Sequence, residues 1–234
     1  MSRLFGTDGI RGIANVDLRP SLAVALGRAT AHRIVGAGGA LVVGQDTRRS
    51  GDMFVAAITA GATSLGADVH RVGVVPTPAL AFLAGEGEFA AGIMVSASHN
   101  PAEDNGLKVL DAGGLKLDDA LEDDLEALIW RADELPGAAP EALGREFAAA
   151  SLVERYLAHR LGLAARVRGT GLHVVLDLAN GAACAIAPRI LEATGARVTA
   201  IHDAPDGDNI NRDCGATHPE SLAEAVRDRR PRRR

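Results

Sequence analysis

Short apolar runs alternate with stretches of helical spacing, and this alternation limits the chain more than any other feature. Apolar runs fall at residues 40–43, 68–74 and 90–95, then again at 172–178 and 197–201. Helical patterns lie between them. In residues 20–35, Pro20 sits near the start and Leu22, Leu26, Ala29 and Arg33 follow on one face, until Gly36, Gly38 and Gly39 stop the helix. Ser50 stands where it would cap a helix over 51–65, a short helix is expected through Phe82, and residues 118–132 read as a helix with acids in its first turns. Further helices are expected at 149–161, 185–193 and from 221. Repeated strand–helix–strand units predict an α/β fold with mixed, mostly parallel sheets covered by helices.

The pattern breaks once. Residues 135–145 hold Pro136, Gly137, Pro140 and Gly144, the strongest linker signal in the chain. We therefore expect two consecutive α/β domains, over 1–135 and 149–234, joined by a linker at 136–148. With 234 residues there is enough chain to bury a core, and 47% hydrophobic against 24% charged residues excludes overall disorder. Aromatics are only 3%, which argues against antibody-like sandwiches and against single-strand nucleic-acid binders that need stacking platforms.

Net charge is −5, yet residues 227–234 carry six Arg against one Asp, so the rest of the chain is more acidic than the total. An acidic body disfavours nucleic acid as a partner. No stretch approaches the ~18 apolar residues of a membrane span, and the opening residues have no apolar signal core, so no membrane partner and a cytoplasmic location are expected. Cys184 and Cys214 have no metal-ligand spacing and are expected to be reduced, small buried or half-buried residues.

Four segments carry candidate chemistry. Ser96-Ala97-Ser98-His99-Asn100-Pro101 follows an apolar strand, where ligands of parallel sheets bind. By its residues alone it fits an exposed nucleophile and a polar Asn-Pro turn equally. His99 is not a general base merely by adjacency, because consecutive extended residues face opposite ways. The glycine-spaced loop at 6–12 places Arg11 among backbone amides suited to an anion, but also fits a flexible turn; no Gly-Lys-Ser/Thr follows, so it is not a Walker loop. The segment 46–51 opens a helix after a strand, a position suited to anions, with Arg49 expected in solvent and Arg48 left open. Residues 206–217 begin like a calcium loop but lack its mid-loop glycine and its closing Glu, Thr217 standing there instead. His32, His70, His159, His173 and His202 read as surface or satisfied core residues, and His218 as structural beside Pro219.

Taken together, FGTDGIRG at Phe5, DTRRSG at Asp46, GIMVSASHNPAEDNGLKVL at Gly92 and DGDNINRDCGATHPESLAEAV at Asp206 resemble the α-D-phosphohexomutases, over nearly the whole chain. Within that family the opening and the CGATHPE segment resemble the phosphoglucosamine mutase branch more than the phosphomannomutase and phosphoglucomutase branch. The resemblance implies a phosphoserine at Ser98, with His99, Lys108 and Arg11 as its catalytic companions and Ser96, Asn100, Asn105, Gly106 and Arg48 as phosphate-loop support. It implies a phosphosugar substrate, a hexosamine bisphosphate intermediate, and Mg²⁺ bound through the Ser98 phosphate oxygen. Lys108 stands out because it and Lys116 are the only lysines among 25 basic residues.

The sequence departs from the family in one respect. The Asp-Gly-Asp-x-Asp-Arg loop that would supply three metal ligands is absent, and Asp206-Gly207-Asp208 is only a lookalike. The chain is expected to hold about half the family length, with the second domain incomplete, an exposed sheet edge, and 227–234 an out-of-frame tail. An inactive fragment or binding module is therefore the second expectation, and a phosphomannomutase or phosphoglucomutase the third.

Overall fold

A computed structural model describes residues 3–228. The elements run β1 (Ile10–Ile13), α1 (Pro20–Thr30), β2 (Ala40–Gln45), α2 (Gly51–Thr63), β3 (Asp68–Val74), α3 (Thr77–Ala84), β4 (Ala91–Val95), β5 (Asp104–Asp111), α4 (Asp119–Ile129), β6 (Glu146–Ala148), α5 (Val153–Ala164), β7 (His173–Asp177), α6 (Ala187–Glu192), β8 (Arg197–Ile201) and α7 (Glu220–Asp228). The fold is α/β, with six strands in the order β1-β5-β4-β2-β3-β6 and a separate pair, β7-β8. β2 runs parallel to β3 and β4, whereas β5 runs antiparallel to both β4 and β1.

Two apolar layers sandwich the large sheet. Alternate residues of β2 separate them: Leu41 and Val43 join Leu26, Phe54 and Ile58 on one face, and Val42 joins Leu80, Leu83 and Met94 on the other. This is the two-residue period of a strand buried on both faces. On the first face α1 and α2 touch through glycines. A Cβ on Gly27 would lie 2.3 Å from the Ile58 carbonyl oxygen, and one on Gly61 would lie 2.2 Å from that of Val24. Both glycines therefore serve close approach of two helix backbones.

Several sequence expectations needed correction. β1 falls in the glycine-spaced N-terminal loop, which the sheet recruits by pairing Ile10 with Leu107 and Arg11 with Gly106. β6 lies inside the stretch expected as linker. It is held to β3 by Val69 N–H donating to the Arg145 carbonyl (2.8 Å) and Arg145 N–H donating to Asp68 (2.8 Å). The helix expected from residue 149 covers the first sheet rather than the second: Tyr156 and Leu157 are buried in the same layer as Leu80 and Leu83. Ser50 makes no side-chain cap; its Oγ accepts from Asn105 Nδ2 (2.8 Å). The histidines are less solitary than expected. His70 stacks on Phe147, His159 stacks on Phe82, and His202 meets Asp177. α7 continues through Arg227 and Asp228, and the remaining residues of the expected tail, 229–234, lie outside the described residues.

β7 and β8 pair only with each other among the described residues. No helix of the described residues is long and apolar enough to cross a membrane.

Candidate phosphate-handling site

β4 delivers the chain to a turn over residues 96–101 at the carboxyl end of the sheet. Ser96 is buried and donates from Oγ to Asp46 Oδ2 (2.6 Å), while Ser98 N–H donates back to Ser96 Oγ (3.1 Å). Ser98 has φ +58, a left-handed conformation that costs about 1 kcal/mol or more for a residue with a Cβ. Such backbone persists only where its surroundings over-determine it, and here they do.

The main brace is Arg48, which is fully buried. Its guanidinium donates to Asp46 Oδ2 (3.0 Å) and to the carbonyls of Ser98 (3.0 Å), Asn100 (2.9 Å), Asp104 (2.9 Å) and Pro101. A buried charge is tolerable when paired and fully hydrogen-bonded, and the planar five-donor fork of Arg meets that condition. Arg48 thus holds the turn by its backbone and does not itself present donors to a ligand. Asn211, on a loop more than 100 residues away, donates to the same Ser98 (2.8 Å) and Asn100 (2.9 Å) carbonyls. Thr47 ties in a third segment, donating to the Asn180 carbonyl (2.6 Å). Six of the seven non-glycine residues with positive φ among the described residues belong to this junction: Ser98, Ala179, Asn180, His202, Asn211 and Asp213.

Ser98 and His99 are exposed at the tip and line a cleft of about 370 Å³ with the loops after β7. Arg11 approaches from β1. It reaches Asn100 Oδ1 (3.5 Å) and Asp8 (3.1 Å), yet its Nε is buried without a hydrogen-bond partner. A buried guanidinium N–H without a partner, on a side chain that reaches the serine turn through Asn100, is an unsatisfied donor. Lys108, opposite Met94 in the β4–β5 ladder, lies 3.9 Å from Asp8. Burial pulls its ammonium below the ordinary lysine value; Asp8 opposes that pull and Arg11 adds to it. Gly106 permits the crowding, because a Cβ there would lie 2.6 Å from the Ser96 carbonyl oxygen. Asn105, fully buried, joins this turn to α2 through Ser50. Asn100 closes the turn by donating to Asp104 (2.8 Å).

The donor set bears on which group the site could take. The cationic side chains of Arg11 and Lys108 suit a phosphate. The nearest buried carboxylate, Asp46, is engaged by Arg48 and Ser96. These residues do not by themselves form the oxygen cage that Mg²⁺ needs.

Arg49 is exposed, as expected, but is not free: its side chain pairs with Asp208 and its N–H donates to the Gly207 carbonyl (2.9 Å). Asn211, Thr47 and Asp46 escaped the sequence analysis as site residues. For Asn211 no local signal existed, since its two acceptors lie more than 100 residues away.

The α/β scaffold presents a braced serine turn at the carboxyl end of β4, and comparison with known proteins identifies the family. Residues 2–136 match the family described as phosphoglucomutase/phosphomannomutase, alpha/beta/alpha domain I, and the chain belongs to that family. Phosphoglucosamine mutase of Moorella thermoacetica is 49% identical over 229 residues, 97% of this chain and 51% of the relative. Its counterpart in Mycolicibacterium paratuberculosis is 50% identical over 230 residues, again 97% and 51%. Among solved structures, a phosphoglucomutase/phosphomannomutase family protein from Burkholderia thailandensis superposes with a TM-score of 0.80 at 28% identity, covering 97% of this chain and 50% of that one. The chain spans about half the length of the curated relatives it matches.

Proposed function

We propose that this chain is the phosphoserine-bearing half of a phosphoglucosamine mutase, which interconverts glucosamine 6-phosphate and glucosamine 1-phosphate. The observation that carries this reading is Ser98, exposed and held at φ +58 on a turn braced by Arg48 and reached at Asn100 by Arg11. In the forward direction the bond between Ser98 Oγ and phosphorus breaks as the sugar's 1-hydroxyl oxygen bonds to phosphorus, giving a hexosamine bisphosphate. His99 takes the hydroxyl proton, and the departing Ser98 Oγ gains one in exchange, leaving a free serine hydroxyl. The reverse transfer from the 6-position restores phospho-Ser98. Phosphoryl transfer relies on positioning and charge stabilisation. Arg11 and Lys108 would neutralise the phosphoserine, which carries close to two negative charges. Ser96, Asn100, Asn105, Gly106 and Arg48 hold the turn.

Mg²⁺ is the proposed metal, and this chain would give it one ligand, the Ser98 phosphate oxygen. When bound it would neutralise phosphate charge. The three-aspartate loop that the resemblance calls for is not in this sequence, so no step is derived through the ion. A cytoplasmic location and two consecutive domains complete the proposal, with β6 and α5 packed on the first sheet.

Intact mass and peptide mapping test it. After exposure to a hexose bisphosphate, a single phosphoryl group is expected on Ser98 and none on Ser98→Ala. Phosphate retained by Ser98→Ala would overturn the assignment. The 234-residue chain alone is expected to show no turnover with Mg²⁺ and bisphosphate, the second reading being a folded but inactive phosphohexomutase half.

A further inference from the structure

The loops that press on the Ser98 turn hang from a cluster that sequence spacing did not reveal. Asp177 ends β7, His202 follows β8, and Cys214 lies 12 residues further on. One donor atom from each lies within 4.8 Å of the other two. His202 Nδ1 is 3.1 Å from Asp177 Oδ1, with the Asp177 side chain 4% exposed and that of His202 31%. Cys214 is fully buried.

A hydrogen-bonded His–Asp pair with a filler cysteine is the simpler description. It leaves the thiol poorly explained. Cys214 sits among polar groups rather than in either apolar layer, with Asn180 Nδ2 4.0 Å away. The carboxylate is also oriented from outside, since Asp177 accepts from Ala179 N–H (2.9 Å) and Gly215 N–H (2.8 Å). Backbone donors that fix a carboxylate in this way are what surround metal ligands. Sulfur, imidazole nitrogen and carboxylate oxygen together suit a borderline-soft ion, whereas Mg²⁺ takes oxygen alone. Ligand bonds of ~2.0–2.3 Å put tetrahedral donors roughly 3.3–3.8 Å apart, which lies inside the 4.8 Å that bounds the three donor atoms here.

We propose that Asp177, His202 and Cys214 form a Zn²⁺ clasp, with water in the fourth position beside the half-exposed imidazole. It would tie the ends of β7 and β8 to the segment that carries Asn211 onto the Ser98 turn. Burial, with Asp177 and Asp213 adding to it, holds the Cys214 thiol above its ordinary pKa. Binding therefore exchanges the S–H bond for an S–Zn bond and releases that proton to water, while the imidazole binds in its neutral form. The clasp is independent of the mutase reading, so loss of Ser98 phosphorylation does not touch it.

The test uses the 234-residue chain stripped of metal with EDTA and titrated with Co²⁺ as the optical probe. One Co²⁺ per chain is expected, with a thiolate-to-metal charge-transfer band that equimolar Zn²⁺ abolishes and a large excess of Mg²⁺ does not. Cys214→Ser should remove the band, Cys184→Ser should leave it, and His202→Gln should weaken Zn²⁺ binding about tenfold or more. Absence of the band, its survival in Cys214→Ser, or its loss to Mg²⁺ would overturn the proposal. If circular dichroism shows that Cys214→Ser unfolds, His202→Gln decides: folded and with unchanged Zn²⁺ affinity, it also overturns the clasp.

Discussion

β4 and β7 are both five-residue strands, and both deliver the chain to a loop at the junction. Every residue of β4 is buried, and none of β7 is fully buried. β4 has a strand on each side and a helical layer on each face, whereas β7 has one partner among the described residues, β8. The serine turn therefore grows from a fully buried strand, and one of the loops that brace it, the one carrying Asn211, follows a half-buried pair. What the second region lacks in apolar burial it offsets with polar ties: Thr47 to Asn180, Arg49 to Asp208 and Asn211 to the Ser98 turn. Strands open at an edge and half-covered are low in local stability and open before the global core does.

The largest expected effect falls on the brace itself. Arg48→Ala removes a buried charge from Asp46 and takes one donor from each of four carbonyls, so a loss of about 3–5 kcal/mol is expected, read by urea unfolding. A loss below ~1 kcal/mol would mean that Asn211 alone can hold the turn. Next comes the contrast between the strands. Ile93→Ala, in β4, should cost about 2–5 kcal/mol. Val175→Ala, half-buried in β7, should cost about 1 kcal/mol. Equal losses would remove the distinction between the regions. Hydrogen exchange sharpens it, with β7 and β8 amides exchanging through a partial opening and β2 and β4 amides only on global unfolding.

Asn211→Ala should cost about 1–2 kcal/mol and speed amide exchange at residues 98–101, while leaving β4 unchanged. Unchanged exchange in the turn would assign the whole brace to Arg48. The smallest effect concerns the surface. Arg155 donates to Glu88 and holds its carboxyl below the ordinary glutamate value. The stabilisation this gives is present above the ordinary glutamate pKa and is lost as pH falls through the lowered one. Glu88→Gln should remove that acid-side dependence with little change at neutral pH, since the pair is exposed.

Much of the first region was legible in the sequence because its signals are local. A strand buried on both faces reads as a near-continuous apolar run, so the runs at 40–43 and 90–95 announced β2 and β4. The serine turn was legible for a different reason: its polar residues follow such a run, where a parallel sheet exposes its loops. β1 and β6 were hidden. Four residues inside a glycine-spaced loop and three of mixed character carry too short a signal to declare a strand, and pairing with a neighbouring strand makes them strands. The same holds for Ser50, whose capping role the sequence suggested and whose hydroxyl Asn105 claims instead.

The sequence by itself determined the fold class, the position of the serine turn and the family to which the chain belongs, since alternation of apolar and helical segments and contiguous motifs are properties of neighbours along the chain. Only the tertiary structure decided that Arg48 is a buried brace and not a ligand's partner, that Asn211 reaches Ser98, and that Asp177, His202 and Cys214 meet. Those contacts join residues as many as 113 positions apart, and no local rule of spacing records which distant carbonyl a donor will find once the two regions dock.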